Sequence, residues 1–235
     1  MKRRRLLISG AILASFVLAV LAFLAYLVKT PPKFYAETDL PAGEDRQEMS
    51  KDLLALFSQT RFAITNYDPY WQASFSADQI NSFFQEDYIR AGADENLPPG
   101  FHDPRVQIED GKLLLAVRYG SGVKSTILSL ELRMWLVPGE INLLAVEVVS
   151  LRAGRLPLST STLLDYITAM ARRENIDISW YRHESHPVAV MRFQSDQTRP
   201  SFQFVRVELK NQELVLEGRS TESVAAVAGK EAGKP

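Results

Sequence analysis

The chain has 235 residues, 46% of them hydrophobic and 23% charged, which leaves room for one sizeable globular domain or two small ones. It holds no cysteine, and this excludes disulfides, thiolate metal sites, a cysteine nucleophile and a lipoprotein anchor cysteine. Of its 27 basic side chains, four cluster at Lys2, Arg3, Arg4 and Arg5; the other 23 face 28 carboxylates, a formal charge of −5 that argues against nucleic acid as a partner.

An uncharged apolar run follows the basic cluster, from Leu6 to Val28. At about 1.5 Å per residue it spans roughly 34 Å, enough to cross a hydrocarbon core of about 30 Å. A cleaved signal peptide, the alternative, has a shorter apolar region and a small-x-small cleavage site. In "AFLAYLVKT" the alanines Ala22 and Ala25 have the wrong spacing, and bulky Tyr26 and Leu27 follow. Residues 1–29 therefore predict an uncleaved signal anchor, a single pass through the cytoplasmic (inner) membrane. The positive-inside rule keeps the N-terminus in the cytoplasm and puts everything after Lys29 on the extracytoplasmic side.

"TPPKFYAETDLPAGEDRQ" is rich in proline and charge and predicts a linker over residues 30–44 that holds the domain off the bilayer. A helix is expected over residues 45–61, with Met49, Leu53, Leu56, Phe57 and Thr60 on one side. "YWQASF" reads as a short strand with Trp71, Ala73 and Phe75 alternating. In "SFSADQINSFFQEDYI" Ser76 and Gln79 form a capping-box pattern, and the helix they open carries Ile80, Phe83 and Phe84 on one face, running to about Gly92.

The period then changes to two. "RVQIEDGKLLLAVRY" predicts a hairpin turning at Asp110–Gly111. "TILSLELRMWLV" sets Leu128, Leu130, Leu132, Met134 and Leu136 on one side and Ser129, Glu131, Arg133 and Trp135 on the other; "INLLAVEVVSL" returns antiparallel. Strands of about eleven residues are long against the usual five or six. After a break at Gly154 and Pro157, a helix over residues 161–173 carries Leu163, Leu164, Ile167, Met170 and Ala171. Four more strands close the domain, the last two pairing across Asn211–Gln212. Residues 221–235 are small and polar and predict a disordered tail. The fold class is α+β: one N-terminal transmembrane helix, then a curved antiparallel β-meander packed around two or three helices over residues 45–220.

Chemistry is sparse. His183 and His186 flank Glu184 and could ligate a metal only if the segment turns, since residues three apart on a strand point to opposite faces; a polar loop is the other reading. Pro187 favours a turn, but a third ligand is needed and the remaining histidine is His102. No GxSxG elbow, glycine-rich phosphate loop or dinucleotide fingerprint is present, so neither an enzyme nor a cofactor is expected. The apolar stripes are ordinary core on one reading. On the other, Ile80, Phe83, Phe84, Leu128, Leu130, Leu132, Met134, Leu163, Leu164 and Ile167 line a site for a lipid or another apolar ligand.

The order of elements, the "QIN" opening the first core helix and the Gly-x-Leu-Pro-Leu before the second resemble the YpmS-like family of membrane-anchored exported proteins. More remotely they are similar to LmeA-like phospholipid-binding proteins, over roughly residues 71–220. The resemblance implies a tubular lipid-binding fold, an antiparallel sheet rolled around a long helix, with no catalytic residue. The expected role is non-catalytic binding of a lipid in the cell envelope. The alternative is a scaffold recruiting an envelope protein partner; a fully packed core favours the scaffold and an open apolar tunnel favours the lipid.

Overall fold

A computed structural model describes residues 2–173, 177–193 and 200–220. The expected disordered tail, 221–235, lies outside the described residues. Helix α1 (Lys2–Lys29) is followed by α2 (Lys33–Glu37), α3 (Glu44–Thr65), strand β1 (Trp71–Ser76), α4 (Ala77–Gln85) and α5 (Asp87–Arg90). Then come β2 (Phe101–Glu109), β3 (Lys112–Tyr119), β4 (Thr126–Leu136), β5 (Leu143–Ala153) and the two-residue β6 (Leu156–Pro157). Helix α6 (Ser161–Arg173), β7 (Asp177–His183), β8 (His186–Arg192), β9 (Phe202–Lys210) and β10 (Glu213–Ser220) complete the chain. The class is α+β, with every strand pair antiparallel.

The stretch long and apolar enough to cross a membrane, Leu13–Glu37, runs through α1 into α2. The two parts differ. Side chains 13–26 of α1 are exposed, whereas Phe34 and Tyr35 of α2 are buried, so α1 alone is free to span a bilayer.

The strands form two sheets rather than one continuous meander. Strands β2 to β5 do follow one another, but the large sheet continues β5-β8-β7, with β6 beside β5. Strands β9 and β10 leave it to pair with β1 in a small sheet ordered β1-β10-β9. The reason is non-local: β1 carries buried Trp71, Ala73 and Phe75, and its alternation finds a partner in the last strand of the domain. Gly218 is required there. A Cβ at that position would lie 2.1 Å from the Trp71 ring, which packs flat over the glycine and donates from Nε1 to Ser220 Oγ at 3.1 Å.

Helix α4 starts as its sequence demands. Gln79 N–H donates to Ser76 Oγ and Ser76 N–H to Gln79 Oε1, both at 3.1 Å, a complete capping box. It stops earlier than Gly92: the backbone breaks at Glu86 (φ −118°, ψ −86°) before the single turn of α5. Asn81, with 0% exposure, opposes the backbone of β2, donating to the Val106 carbonyl (2.7 Å) and accepting from the Val106 N–H (2.8 Å). Asn142, in the β4–β5 turn, does the same to β9, donating to the Phe202 carbonyl (2.6 Å) and accepting from Phe204 N–H (2.8 Å).

The segment 30–44 is not a free spacer. Phe34 and Tyr35 join Ala116 and Ile127 in a cluster on the outer face of the large sheet. Asp103, held at φ +55° in a bulge of β2, fixes them: it accepts from the Tyr35 hydroxyl (2.7 Å) and pairs with Arg105 (3.0 Å) and Arg118 (3.4 Å). Both guanidinium groups lie 5.4 Å from the Tyr35 ring centre. Burial, then the Asp103 bond, pushes the Tyr35 hydroxyl well above the usual phenol range. Burial raises Asp103, but the Tyr35 bond and the Arg105 and Arg118 charges outweigh it and hold the carboxyl below its ordinary range.

Candidate functional site

The inner face of the large sheet has two halves. At the turn end of β2–β3, Val106 and Ile108 pack with Ala77 and Leu209, joined by Ile80, Phe84, Leu113, Leu115, Met134 and Leu214. This half is closed: α4 covers it from one side and the small sheet contributes Leu209 and Leu214. Toward the other end the same face opens into a cavity of about 710 Å³. Its floor is Leu115, Val117, Leu128, Leu130 and Leu151, its walls include Phe84, Leu97 and Phe101, and α6 covers it with Thr162, Leu163 and Tyr166. Arg105, Ser159 and Thr162 and the Tyr166 hydroxyl are the side-chain polar groups around it.

The strand pattern makes this face. Leu113, Leu115 and Val117 of β3 stand opposite Leu132, Leu130 and Leu128 of β4 without a register break, so all six side chains project to one side. Strand β5 needs a correction to stay in phase. A bulge opposite Glu131–Leu132 shifts its register, so that Leu151 and Val148 both face inward and Glu147 faces outward. Helix α6 sits lightly on the cavity: Ala171 is its one buried side chain, and Trp180 Nε1 donates to Thr168 Oγ1 at 2.8 Å to hold it to β7.

Of the ten expected lipid-contacting residues, Phe84, Leu128, Leu130 and Leu163 line the cavity. Ile80 and Met134 belong to the packed half, with Ile80 also reaching a second cluster. Leu132 shares the inward face of β4. Leu164 and Ile167 lie on α6, half-buried and outside the lining. Phe83 goes elsewhere. It does not face Leu130 and Leu132 but packs with Leu53, Ala73 and Phe75 between α3, β1 and β10. Adjacent helical residues point about 100° apart, so Phe83 and Phe84 enter different clusters although their ring centres stay 6.0 Å apart and both meet Tyr88. The expected stripe on α3 does face the domain: Leu53 is buried, Met49, Leu56 and Thr60 are half-buried, and Phe57, though 55% exposed, lays its ring 4.8 Å from that of Phe75. Leu97, Phe101, Leu115, Leu151, Leu158 and Tyr166 were not legible as site residues, because nothing in a sequence separates an apolar side chain beside open volume from one in packed core.

His183 and His186 do converge. Glu184 and Ser185 both adopt positive φ (+48° and +74°) in a two-residue turn, and this puts the histidines opposite each other at the end of the β7–β8 hairpin. Their partner is Glu147, 1% exposed, whose Oε1 lies 2.9 Å from His186 Nδ1 and 3.5 Å from His183 Nδ1. Arg133 Nη1 lies 3.9 Å from Glu147 Oε2. Burial raises this carboxyl, but the bonds from His186 and His183 outweigh it and hold it below its ordinary range. His102 is on β2, at the opposite edge of the sheet from β7, and contributes nothing here. Among the described residues no group of three or more metal-ligating side chains is arranged to hold an ion. The carboxylate is covered by its own side-chain partners and forms a hydrogen-bonded clasp across the hairpin.

No family model, no curated protein and no solved structure matches this chain.

Proposed function

We propose that this is a single-pass, membrane-anchored protein whose extracytoplasmic domain binds a lipid acyl chain or a similar apolar ligand in the cavity under α6. The cavity carries the reading. Its volume, about 710 Å³, falls in the range of small-molecule sites, and apolar walls with a few polar groups at the edge suit an amphiphile. A methylene group is about the size of a water molecule, whose share of liquid volume is about 30 Å³. The space thus suits one long acyl chain better than a pair. The resemblance of "QIN" and Gly-x-Leu-Pro-Leu to YpmS-like and LmeA-like proteins points the same way. The basic cluster before α1 supports a cytoplasmic N-terminus in the inner membrane. The role is binding, with no catalytic step. A scaffold that recruits an envelope partner needs no such cavity, and this favours the lipid reading over it.

The test uses the full chain in vesicles containing a phospholipid with a diazirine in one acyl chain. Photolysis should cross-link peptides from β3, β4 and α6 as well as α1. Leu130→Trp, which fills the cavity, should abolish the domain cross-links and leave those of α1. Cross-links confined to α1 in the wild-type chain would overturn the proposal.

A further inference from the structure

The end of α1 is built into the domain. The Leu27 carbonyl accepts from Arg155 N–H (2.8 Å) and the Val28 carbonyl from Thr126 Oγ1 (2.6 Å), so two orphan carbonyls of the last helical turn are satisfied by the large sheet. Lys29 Nζ donates to the carbonyls of Val123 (2.6 Å) and Ser125 (2.7 Å). Gly154 makes the close approach possible. Its φ is +58°, and a Cβ there would lie 2.4 Å from both the Leu27 and Val28 carbonyl oxygens. The Gly-x-Leu-Pro-Leu segment is therefore an anchor-docking turn: Gly154 and Arg155 hold α1, Leu156 and Pro157 pair with β5, and Leu158 lines the cavity.

These contacts fix where the cavity lies relative to the membrane. If α1 spans the bilayer, Val28 and Lys29 sit at its outer surface, and whatever touches them sits there too. Leu158 is four residues from Gly154, and Leu128 two from Thr126, so both lie within about 14 Å of residues that touch the last turn of α1. The most exposed lining residues, Leu158, Ser159, Thr162 and Tyr166, follow the anchor-docking turn directly in the chain, which puts the mouth on this same side. Val123 is 92% exposed at the tip of the loop that Lys29 holds, with Lys29 bonded to its carbonyl and exposed Lys124 next to it in the chain. One exposed apolar tip flanked by lysines is the composition of a segment that enters an anionic lipid surface. The packed half points the other way, ending in the acidic turn Glu109–Asp110, a strand's length from Tyr119.

We propose that the domain rests on the bilayer from which its anchor emerges, with Val123 among the lipid headgroups and the cavity mouth turned to the membrane, so that an acyl chain passes between bilayer and cavity without crossing water. The second clause rests on the lipid reading; the first does not. The absence of cysteine allows a clean test. Val123→Cys and Asp110→Cys chains, each carrying an environment-sensitive fluorophore, are reconstituted in phosphatidylcholine–phosphatidylglycerol vesicles containing lipids with a headgroup-proximal quencher. Quenching at 123 should be several-fold stronger than at 110, with blue-shifted emission. Equal quenching at the two sites, or stronger quenching at 110, overturns the docking. Gly154→Val in the Val123→Cys background should release the domain and reduce the quenching. Because a side chain at Gly154 also strains its own backbone, Thr126→Val, which removes only the hydroxyl, should act in the same direction. Unchanged quenching in both overturns the anchor contacts as its cause. Strong quenching at 123 with diazirine cross-links confined to α1 keeps the docking and sinks the lipid reading. Cavity cross-links with no quenching at 123 do the reverse.

Discussion

The two halves of one sheet face use the same residue types to opposite ends. Ile108, Leu113 and Met134 on one side and Val117, Leu128 and Leu130 on the other are large aliphatic side chains at matching strand positions. What differs is the covering layer. The first half receives a capped helix and two strands of a second sheet. The second receives α6, which follows a proline-interrupted turn and has one buried side chain. Apolar residues on a strand thus specify a face, while the volume available above it decides whether that face becomes packed core or the floor of a cavity.

The largest expected effects contrast the halves directly. Ile108→Ala should cost about 3 kcal/mol, in the range for large-to-small changes in packed core, whereas Leu128→Ala, beside open volume, should cost about 1 kcal/mol. Chemical unfolding of the full chain in detergent measures both, and equal losses would erase the distinction. Added lysophospholipid should raise the melting temperature of wild type and not of Leu130→Trp, since a ligand that binds only the folded state stabilises it by mass action. Asn81→Ala, at the boundary, should cost about 2 kcal/mol, because the Val106 N–H and carbonyl lose their partner in a buried place. Asn81→Asp should not rescue it, as a carboxylate cannot donate to the carbonyl. Ser76→Ala should cost about 1 kcal/mol and Ser76→Asp nearly nothing. Unequal effects of Ser76→Ala on the two halves would show that α4 is not one rigid cover.

The smallest effect lies outside both halves and serves as a control. Glu147 faces His183, His186 and Arg133, and its carboxyl is held below the ordinary range. A carboxyl with a lowered folded-state pKa stabilises the fold fully above its unfolded value, about 4.3, and loses that contribution as pH falls through the lower folded value. Stability of wild type should therefore fall more steeply than that of Glu147→Gln across the acid window below about 4. Parallel profiles would mean the clasp is electrostatically idle.

Local signals were the legible ones. Ser76 and Gln79 announce the cap of α4, Asp110–Gly111 the hairpin, and the even-numbered residues of β4 its inward face. What escaped was contact between distant segments. Phe34 and Tyr35 sit in a stretch whose prolines and charges suggest a linker, and only their fit to Ala116 and Ile127 buries them. The β5-β8-β7 order depends on a turn at Glu184–Ser185, residues without the asparagine or glycine that usually marks positive φ. Glu147 reads as one polar residue in an alternating strand until the hairpin brings two histidines to it. Phe83 and Phe84 read as one aromatic pair, yet they serve different layers.

Asn81 and Asn142 have a consequence beyond the hydrogen bonds they make. Strands β2 and β9 are edges of their sheets, and an open edge is a template on which another chain can add a strand. Each asparagine side chain presents one donor and one acceptor to the otherwise unpaired backbone of such an edge, the same pair a neighbouring peptide unit would offer. On β2 the bulge at Asp103 and the missing N–H of Pro104 spoil the rest of the register. A single amide therefore stands in for a neighbouring strand at each place, and the backbone there is no longer open to pair with another chain.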